Sequence, residues 1–441
     1  MRRLAFLYVL LMVFSACLDR ATAKEPATSD DVPTALQEYV AAEDDAFAWK
    51  IRGTDHREGC LIYDIDLTSQ EWQGLKWNHV VSAFVPDDVR HTDTVLLFIM
   101  GGRNGNRPRV EDLAMGAKLA TLAQMPVAFL YQVPNQPLLG DRIEDDLISE
   151  TFLRYLATKD ANWPLLFPMV KSAVRAMDAI QQIAQQEHGA AINQFVVTGG
   201  SKRGWTTWLS AVADDRVAGI APIVIDTLNF QVQMKHQMDT WGQYSEQIAD
   251  YTSKGLVDVM QKQPEIPLWR WVDPYTYRRE LSLPKLLING TNDRYWVIDA
   301  MNLYWDGLVG NKHVMYVPNA GHGLDGGREA ALTTLAVFAQ HVALDRPLPA
   351  LAWKHDDDGG RMRLAIESNP APKAVRLWVA HSDDKDFRPD RWEASQISAN
   401  GDGTYAAYVE KPESGHVAFF AETTYEFGPV EYALSTQIRQ E

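Results

Sequence analysis

The chain has 441 residues, of which 46% are hydrophobic and 23% are charged, and its formal net charge is −16 at pH 7. This length allows one large domain and a smaller one, and the composition excludes a wholly disordered chain. The negative charge argues against nucleic acid and anionic membrane surfaces as partners.

The N-terminus has the layout of a secretory signal. Two arginines precede an apolar run over residues 4–16, which is too short to span a bilayer comfortably. Cleavage after Ala23 would remove a signal peptide of residues 1–23 and leave an exported protein, either periplasmic or secreted. The letters FSAC ending at Cys17 resemble a lipobox, so a lipid anchor at Cys17 is the alternative. Loss of Cys17 leaves Cys60 as the remaining cysteine, and no internal disulfide is then expected.

Residues 24–348 are predicted to form an α/β domain. After a short helix near residues 34–43 come strand-like runs, and TVLLFIMGG from Thr94 is continuously apolar, which is typical of a buried parallel strand. Helical stretches then alternate with the apolar runs PVAFLYQVP, QFVVTGG, AGIAPIVID, PKLLING and HVMYVPNAG. This alternation predicts a mostly parallel sheet covered by helices on both faces. No other segment is apolar enough to be a transmembrane helix.

Two segments depart from that alternation. Residues 227–283 are rich in Trp and Tyr and are predicted to be a helical cap inserted into the α/β domain. Beyond the final predicted helix, residues 349–441 consist of short alternating runs separated by Pro, Gly, Asn and Asp. Such spacing predicts a small all-β sandwich resembling immunoglobulin or fibronectin domains.

Three chemically suited residues each follow an apolar run. Ser201 follows QFVVTGG, Asp293 follows KLLINGTN, and His322 follows HVMYVPNAG. The order Ser, Asp, His is that of the α/β-hydrolase triad, in which a carboxylate orients the histidine that takes the serine proton. The sequence therefore predicts that Ser201 is a nucleophile, His322 its base and Asp293 the group that orients the histidine.

The glycines around Ser201 depart from the usual G-x-S-x-G spacing. Arg203 stands where the last glycine belongs, and Gly204 comes one residue later. We expect Gly199 and Gly204 to supply the two small residues that the strand-to-helix crossing needs. The phosphate-loop spacing G-x-x-x-x-G-K-[ST] is absent.

An oxyanion hole is expected from two backbone N–H groups. One belongs to Lys202, directly after the nucleophile, and the other to Gly102 or Arg103 after the strand that begins at Thr94.

The substrate contacts are less sharply indicated. Arg203 could meet a substrate carboxylate or a developing oxyanion, or pair with the acidic body. The cluster DRIEDD contains Glu144 and Asp145, which would hold a substrate ammonium if they faced the site and would otherwise be solvated at a helix start. Four aromatic residues of the predicted cap are expected to wall the pocket, namely Trp241, Trp269, Trp271 and Tyr275. No metal site and no cofactor are predicted, because no ligand spacing supports one.

Several motifs resemble one family. The stretches GGSKRGWTTWLSAVADDRVAGIAPIVID, WPLLFPMVKSAVRAMDAI, LLINGTNDRYW, YVPNAGHGL and FFAETTYEFG are similar to those of the PhoPQ-activated pathogenicity-related family of exported α/β-hydrolase-like proteins. The resemblance runs from about Tyr39 to Ile438. It implies an α/β-hydrolase fold, the triad of Ser201, Asp293 and His322, and a C-terminal β domain. The turn at Ser201 is also similar to that of glucuronoyl esterases.

The expected function is therefore an exported serine hydrolase that forms an acyl-enzyme with a small-molecule or peptide substrate. A carboxylic ester is the first expectation. An aminopeptidase or dipeptidyl-peptidase-like amide hydrolase is the alternative, and a non-catalytic secreted binding or signalling protein on the same fold is a second one. The sequence does not indicate an oligomeric state.

Overall fold

The computed structural model describes residues 32–441. The predicted signal peptide and the alternative anchor at Cys17 lie outside these residues. Within the described part, no helix combines the length and apolarity needed to cross a membrane. Cys60 is buried and has no disulfide partner among the described residues.

A large mixed sheet organises the first three quarters of the described chain. Its strands are β1 (Ala48–Arg57), β2 (Cys60–Trp72), β3 (Leu75–Pro86), β4 (Thr94–Ile99), β5 (Val127–Leu130), β6 (Gln194–Gly200), β7 (Val217–Ile223), β8 (Lys285–Gly290) and β9 (Lys312–Val317). Their spatial order is β1-β2-β3-β5-β4-β6-β7-β8-β9. The pairs from β5 through β9 are parallel, whereas β1, β2, β3 and β5 pair antiparallel. The α/β class predicted from the alternating runs is thus confirmed.

Helices cover both faces of this sheet. They are α1 (Ala35–Ala41), α2 (Val110–Ala123), α3 (Glu144–Thr158), α4 (Leu166–His188), α5 (Lys202–Ala213), α6 (Phe230–Trp241), α7 (Ala249–Thr252), α8 (Leu256–Lys262), α9 (Pro267–Val272) and α10 (Arg328–Ala343). Every residue of β4 is buried, although successive side chains point to opposite faces. Burial on both faces explains why β4 is a continuous apolar run in the sequence.

The segment predicted as a helical insertion lies between β7 and β8. It contains α6, α7, α8 and α9, with short 3-10 turns at Glu246–Ile248 and Pro274–Tyr277. Phe230, Met234 and Trp269 of this insertion line the same cavity as Ser201, so the insertion lies over the edge of the sheet at which β6 ends.

The C-terminal part is all β and has two layers. Its strands are β10 (Ala350–Asp358), β11 (Arg361–Asn369), β12 (Ala374–Ser382), β13 (Glu393–Ile397), β14 (Tyr405–Glu410), β15 (His416–Phe427), β16 (Val430–Ser435) and β17 (Arg439–Gln440). One layer is β10-β11-β14, and the other is β16-β15-β12-β13. Leu364 and Ile366 of the first layer share a buried core with Val375 and Phe419 of the second.

The second layer also continues the central sheet. Ser435 of β16 pairs antiparallel with Val314 of β9, so the strands of the two parts form one sheet. The predicted boundary near residue 349 falls between α10 and β10. The immunoglobulin-like or fibronectin-like assignment stays a prediction.

Candidate active site

Ser201 lies on a strained turn between β6 and α5. Its backbone has φ 59° and ψ −126°, a conformation that residues other than glycine rarely adopt. The Ser201 N–H donates to the Ile223 carbonyl at 2.8 Å, and its carbonyl accepts from the Trp205 N–H at 3.0 Å. These bonds hold the strained conformation from both sides.

The two glycines beside this turn are needed for a close crossing. A Cβ on Gly199 would lie 2.8 Å from the Arg203 carbonyl oxygen. A Cβ on Gly204 would lie 2.7 Å from Ile225 Cγ2 and 2.9 Å from the Gly199 carbonyl oxygen. The expectation that Gly204 supplies the small residue displaced by Arg203 is therefore confirmed.

Asp293 and His322 form a hydrogen-bonded pair. Asp293 follows β8 and His322 follows β9, and the His322 Nδ1 lies 2.7 Å from the Asp293 Oδ2. The other carboxylate oxygen of Asp293 accepts the Tyr295 N–H at 2.9 Å. Since a carboxylate only accepts, the proton of the neutral ring is on Nδ1 and the lone pair is on Nε2.

The Nε2 atom of His322 is buried and has no hydrogen-bond partner within residues 32–441. The structure thus forms the Asp293–His322 bond and leaves the bond between Ser201 Oγ and Nε2 unmade. Tyr295 stacks on the histidine, with the ring centroids 4.2 Å apart. Burial raises the pKa of Tyr295 to about 12, so its ring stays neutral against His322.

The residues proposed for the oxyanion hole lie at the same edge of the sheet. Lys202 opens α5, and a first-turn N–H of a helix has no intrahelical acceptor. Ile99 of β4 pairs with Gly199, which brings the Gly102–Arg103 loop beside the turn at Ser201. The Gln136 side chain donates to the Gly102 carbonyl at 3.2 Å and so orients this loop.

The basic residues after Ser201 pair with the acidic cluster. Arg203 makes two hydrogen bonds to Glu144, at 2.6 and 2.7 Å, and donates to the Val133 carbonyl at 2.5 Å. Lys202 Nζ lies 2.9 Å from carboxylate oxygens of both Glu144 and Asp145. Two positive charges, those of Lys202 and Arg203, thus face two carboxylates, and the net charge of these four side chains is close to zero.

This pairing changes the role expected for these side chains. Burial raises the pKa of Glu144, but the hydrogen bonds from Arg203 and the charges of Arg203 and Lys202 outweigh it and hold the pKa well below its usual range. The Arg203 side chain is only 11% exposed. Of the two roles that the sequence left open for Arg203, the structure shows the ion pair with the acidic cluster and not a substrate contact.

A cavity adjoins Ser201 beneath the helical insertion. It encloses about 770 Å³, its open mouth included. Its walls are mainly apolar, with Phe152, Trp205, Phe230, Met234, Trp269 and Trp296 among them. Asp145 and Lys202 also line it, and Asp145 accepts a hydrogen bond from Tyr251 at 2.9 Å.

Of the four insertion aromatics proposed as pocket walls, the structure places Trp269 in this cavity. Trp241 packs against the Arg388 guanidinium, Trp271 against Tyr155 and Phe167, and Tyr275 against Arg278. The last three therefore pack the insertion onto its surroundings, which corrects the expectation that they wall the pocket.

Other residues of the site have no sequence motif. Trp205 and Tyr295 line the cavity, and sequence proximity to Ser201 and Asp293 is the signal that could have found them. Asp226 follows β7 and is buried, where its carboxylate accepts the Tyr304 hydroxyl at 2.5 Å. Burial raises the pKa of Asp226 to about 7.

Comparisons with known proteins extend over most of the chain. The model of the family described as PhoPQ-activated pathogenicity-related protein matches residues 36–388. The chain is 32% identical over 426 residues to the autocrine proliferation repressor protein A of Dictyostelium discoideum, a match that covers 89% of this chain and 86% of that protein.

Solved structures were also compared. An acetyl xylan esterase from Paenibacillus sp. R4 has a TM-score of 0.48 and 13% identity, over 68% of this chain and 91% of that one. A glucuronoyl esterase from Solibacter usitatus has a TM-score of 0.45 and 11% identity, over 70% of this chain and 92% of that one.

Proposed function

This chain belongs to the PhoPQ-activated pathogenicity-related protein family, and we propose that it is an exported serine hydrolase that cleaves carboxylic esters through an acyl-enzyme. The observation that carries the proposal is the strained turn that presents Ser201 to an apolar cavity, with the hydrogen-bonded Asp293–His322 pair following neighbouring strands of the same sheet.

The proposed chemistry uses the lone pair on Nε2 of His322, which remains free because Nδ1 carries the ring proton and donates it to Asp293. Nε2 of His322 accepts the proton of Ser201 as Oγ attacks the ester carbonyl carbon, and Asp293 stabilises the imidazolium that forms. The N–H of Lys202 and that of Gly102 or Arg103 donate to the oxyanion of the tetrahedral intermediate. The imidazolium then protonates the departing alcohol, and water hydrolyses the acyl-enzyme by the same steps.

The bond between Ser201 and His322 must form for this reaction. Catalytic hydrogen bonds are often long before substrate binds and tighten in the complex. Among the residues that the structure describes, no donor competes for the buried Nε2 of His322, which leaves it available to accept a proton. This favours a proton transfer to His322 over a purely structural role for the histidine.

The lining of the cavity favours binding of an uncharged, apolar acyl group. Aromatic and aliphatic side chains dominate its walls, and burial of an acyl chain there contributes about 0.8 kcal/mol per methylene. The carboxylates that would bind a free ammonium are already paired with Lys202 and Arg203. An ester is therefore the better supported substrate than a peptide with a free amine. The position of Asp145 in the cavity lining is the observation that supports the aminopeptidase alternative.

A panel of chromogenic substrates tests the proposal. We expect p-nitrophenyl butyrate and octanoate to be cleaved by the wild type and left at the background rate by Ser201→Ala. Leucine p-nitroanilide and its N-acetylated form distinguish the alternative, since a peptidase would prefer the free amine. Equal rates for wild type and Ser201→Ala on every substrate would contradict a hydrolase. That result would favour a signalling protein, as the name of the Dictyostelium discoideum relative suggests for that protein.

A further inference from the structure

The loop that carries Asp293 is tied to the C-terminal β region. Asn292 directly precedes Asp293, and its Nδ2 lies within hydrogen-bond distance of three backbone carbonyls, those of Phe387 at 3.3 Å, Arg388 at 3.1 Å and Asp390 at 2.7 Å. All three belong to the segment between β12 and β13. One side-chain amide therefore anchors the acid loop to a connection almost a hundred residues later.

The loop that carries His322 is tied to the same segment. Asn319 donates its Nδ2 to the Trp392 carbonyl at 3.0 Å and accepts the Trp392 N–H on Oδ1 at 2.8 Å. Two bonds between the same pair of groups fix orientation as well as position. Trp392 is 1% exposed and packs on Phe420 of β15, so the anchor itself is held in a core.

The two loops are also bonded to each other. The Asn292 N–H donates to the Ala320 carbonyl, and the Asn319 N–H donates to the Thr291 hydroxyl, both at 2.9 Å. A side chain on Gly290 would overlap the Ala320 carbonyl, so the loops approach as closely as backbones allow. A displacement of either loop would thus be transmitted to the other.

Arg388 extends the connection to the helical insertion. Its guanidinium lies 4.0 Å from the ring centroid of Trp241 and 3.2 Å from a carboxylate oxygen of Glu246. Asp386 holds the same guanidinium at 2.6 and 2.7 Å. Residues 386–392 therefore contact the acid loop, the histidine loop and the insertion.

We propose that residues 386–392 of the C-terminal region clamp the catalytic loops, and that Asn292 and Asn319 are positioning residues which set the His322–Asp293 pair against Ser201. The catalytic part of this inference rests on the proposed hydrolase activity. Neither asparagine lines the cavity, so their loss changes the reacting geometry and leaves substrate contacts intact. A misplacement of about 1 Å in such a constellation lowers rates by roughly 100-fold.

The test compares Asn292→Ala and Asn319→Ala with a matched control. Asn302 also ties the main part of the chain to the C-terminal region. Its Nδ2 donates to the Ile438 carbonyl at 2.9 Å, and its Oδ1 accepts from the Gln437 side-chain amide at 2.6 Å, but Asn302 lies in neither of the loops that carry Asp293 and His322. We expect kcat for p-nitrophenyl butyrate to fall roughly 10- to 100-fold in the first two variants with KM unchanged. Asn302→Ala should keep the wild-type kcat while losing a comparable amount of thermal stability.

Two further variants separate positioning from simple destabilisation. Asn292→Asp keeps the shape of the side chain and removes its N–H donors, so we expect it to lose at least as much kcat as Asn292→Ala. Asn292→Gln keeps the donors and should recover part of the rate. Wild-type kcat in all of the Asn292 and Asn319 variants would overturn the proposal. So would a loss of kcat in Asn302→Ala as large as that in Asn292→Ala.

Hydrogen exchange gives a readout that does not depend on activity. We expect faster amide exchange at residues 290–295 and 318–324 in Asn292→Ala and Asn319→Ala, and no change there in Asn302→Ala. Unchanged exchange in all three variants would refute the clamp even if the wild type is an active hydrolase. A clamp seen by exchange in a protein that cleaves no substrate would refute the proposed function alone.

Discussion

Replacing Gly204 with alanine tests how the elbow at Ser201 is built. Gly204 lies inside α5, where alanine is favoured over glycine by about 1 kcal/mol, so helix propensity alone predicts a gain in stability. Packing predicts the opposite, because the new Cβ would lie 2.7 Å from Ile225 Cγ2, 2.9 Å from the Gly199 carbonyl oxygen and 3.1 Å from the Ile223 carbonyl oxygen. Overpacking costs about 1–3 kcal/mol, and carbonyls of two strands cannot rotate away. Taking the upper end of that range, we expect a net loss of about 2 kcal/mol.

The matched control is Gly200→Ala, one residue before Ser201. A Cβ there meets no atom within 4 Å, so the free energy of unfolding should stay within about 0.5 kcal/mol of wild type. The assay is urea unfolding followed by tryptophan fluorescence, together with ester turnover of the folded protein. Moving α5 away from β6 should also displace Ser201 and lower kcat in Gly204→Ala. A Gly204→Ala protein as stable as Gly200→Ala, with full turnover, would refute the reasoning about the late glycine.

Three further perturbations address the charges of the site. Asp293→Asn should lower kcat by roughly 10⁴-fold with little change in KM, measured on p-nitrophenyl butyrate, because the histidine loses its orienting carboxylate. Glu144→Gln should lower the free energy of unfolding by about 3 kcal/mol, since it leaves the Arg203 charge buried without its partner, whereas the exposed ion-pair variant Glu246→Gln should cost less than about 1 kcal/mol. Burial raises the pKa of Asp226 in the folded state to about 7, so the stability that its protonated form contributes is present at low pH and is lost as the pH rises through 7. The free energy of unfolding, measured from pH 4 to 8, should therefore fall with rising pH in the wild type and show no such fall due to this residue in Asp226→Asn.

The sequence predicts the parts of the fold that depend on local pattern. Continuous apolar runs identified β4, β6, β8 and β9 because strands buried on both faces need apolar side chains at every position. The carboxyl ends of those strands share one edge, which is why Ser201, Asp293 and His322 could be singled out together. The need for small residues at Gly199 and Gly204 could also be predicted, because the strand and the helix on either side of Ser201 cross closely.

Pairings between distant segments were not predictable. An ion pair between Arg203 and acidic side chains is one alternative that the sequence leaves open, but its partner depends on a contact between α3 and α5 that no local pattern records. Composition identified the insertion by its aromatic rings and could not say which ring faces the cavity. Asn292 and Asn319 bind backbone carbonyls and an N–H, and backbone partners leave no signature in side-chain sequence.

The continuity of the C-terminal strands with the central sheet was missed for a related reason. Short alternating runs separated by turns indicate strands, but they do not say which edge those strands join. A single bridge between Ser435 and Val314 makes the connection. The place of β9 between β8 and β16 therefore follows from this pairing, which the pattern of neither strand predicts.

The central claim is that Ser201 is a nucleophile activated by His322. Its most direct test is reaction with a fluorophosphonate, followed by intact mass measurement and peptide mapping of the adduct. The account predicts one adduct on Ser201 in the wild type, none in Ser201→Ala and strongly slowed labelling in His322→Ala. An unlabelled wild type, or an adduct that persists when Ser201 is replaced, would contradict it.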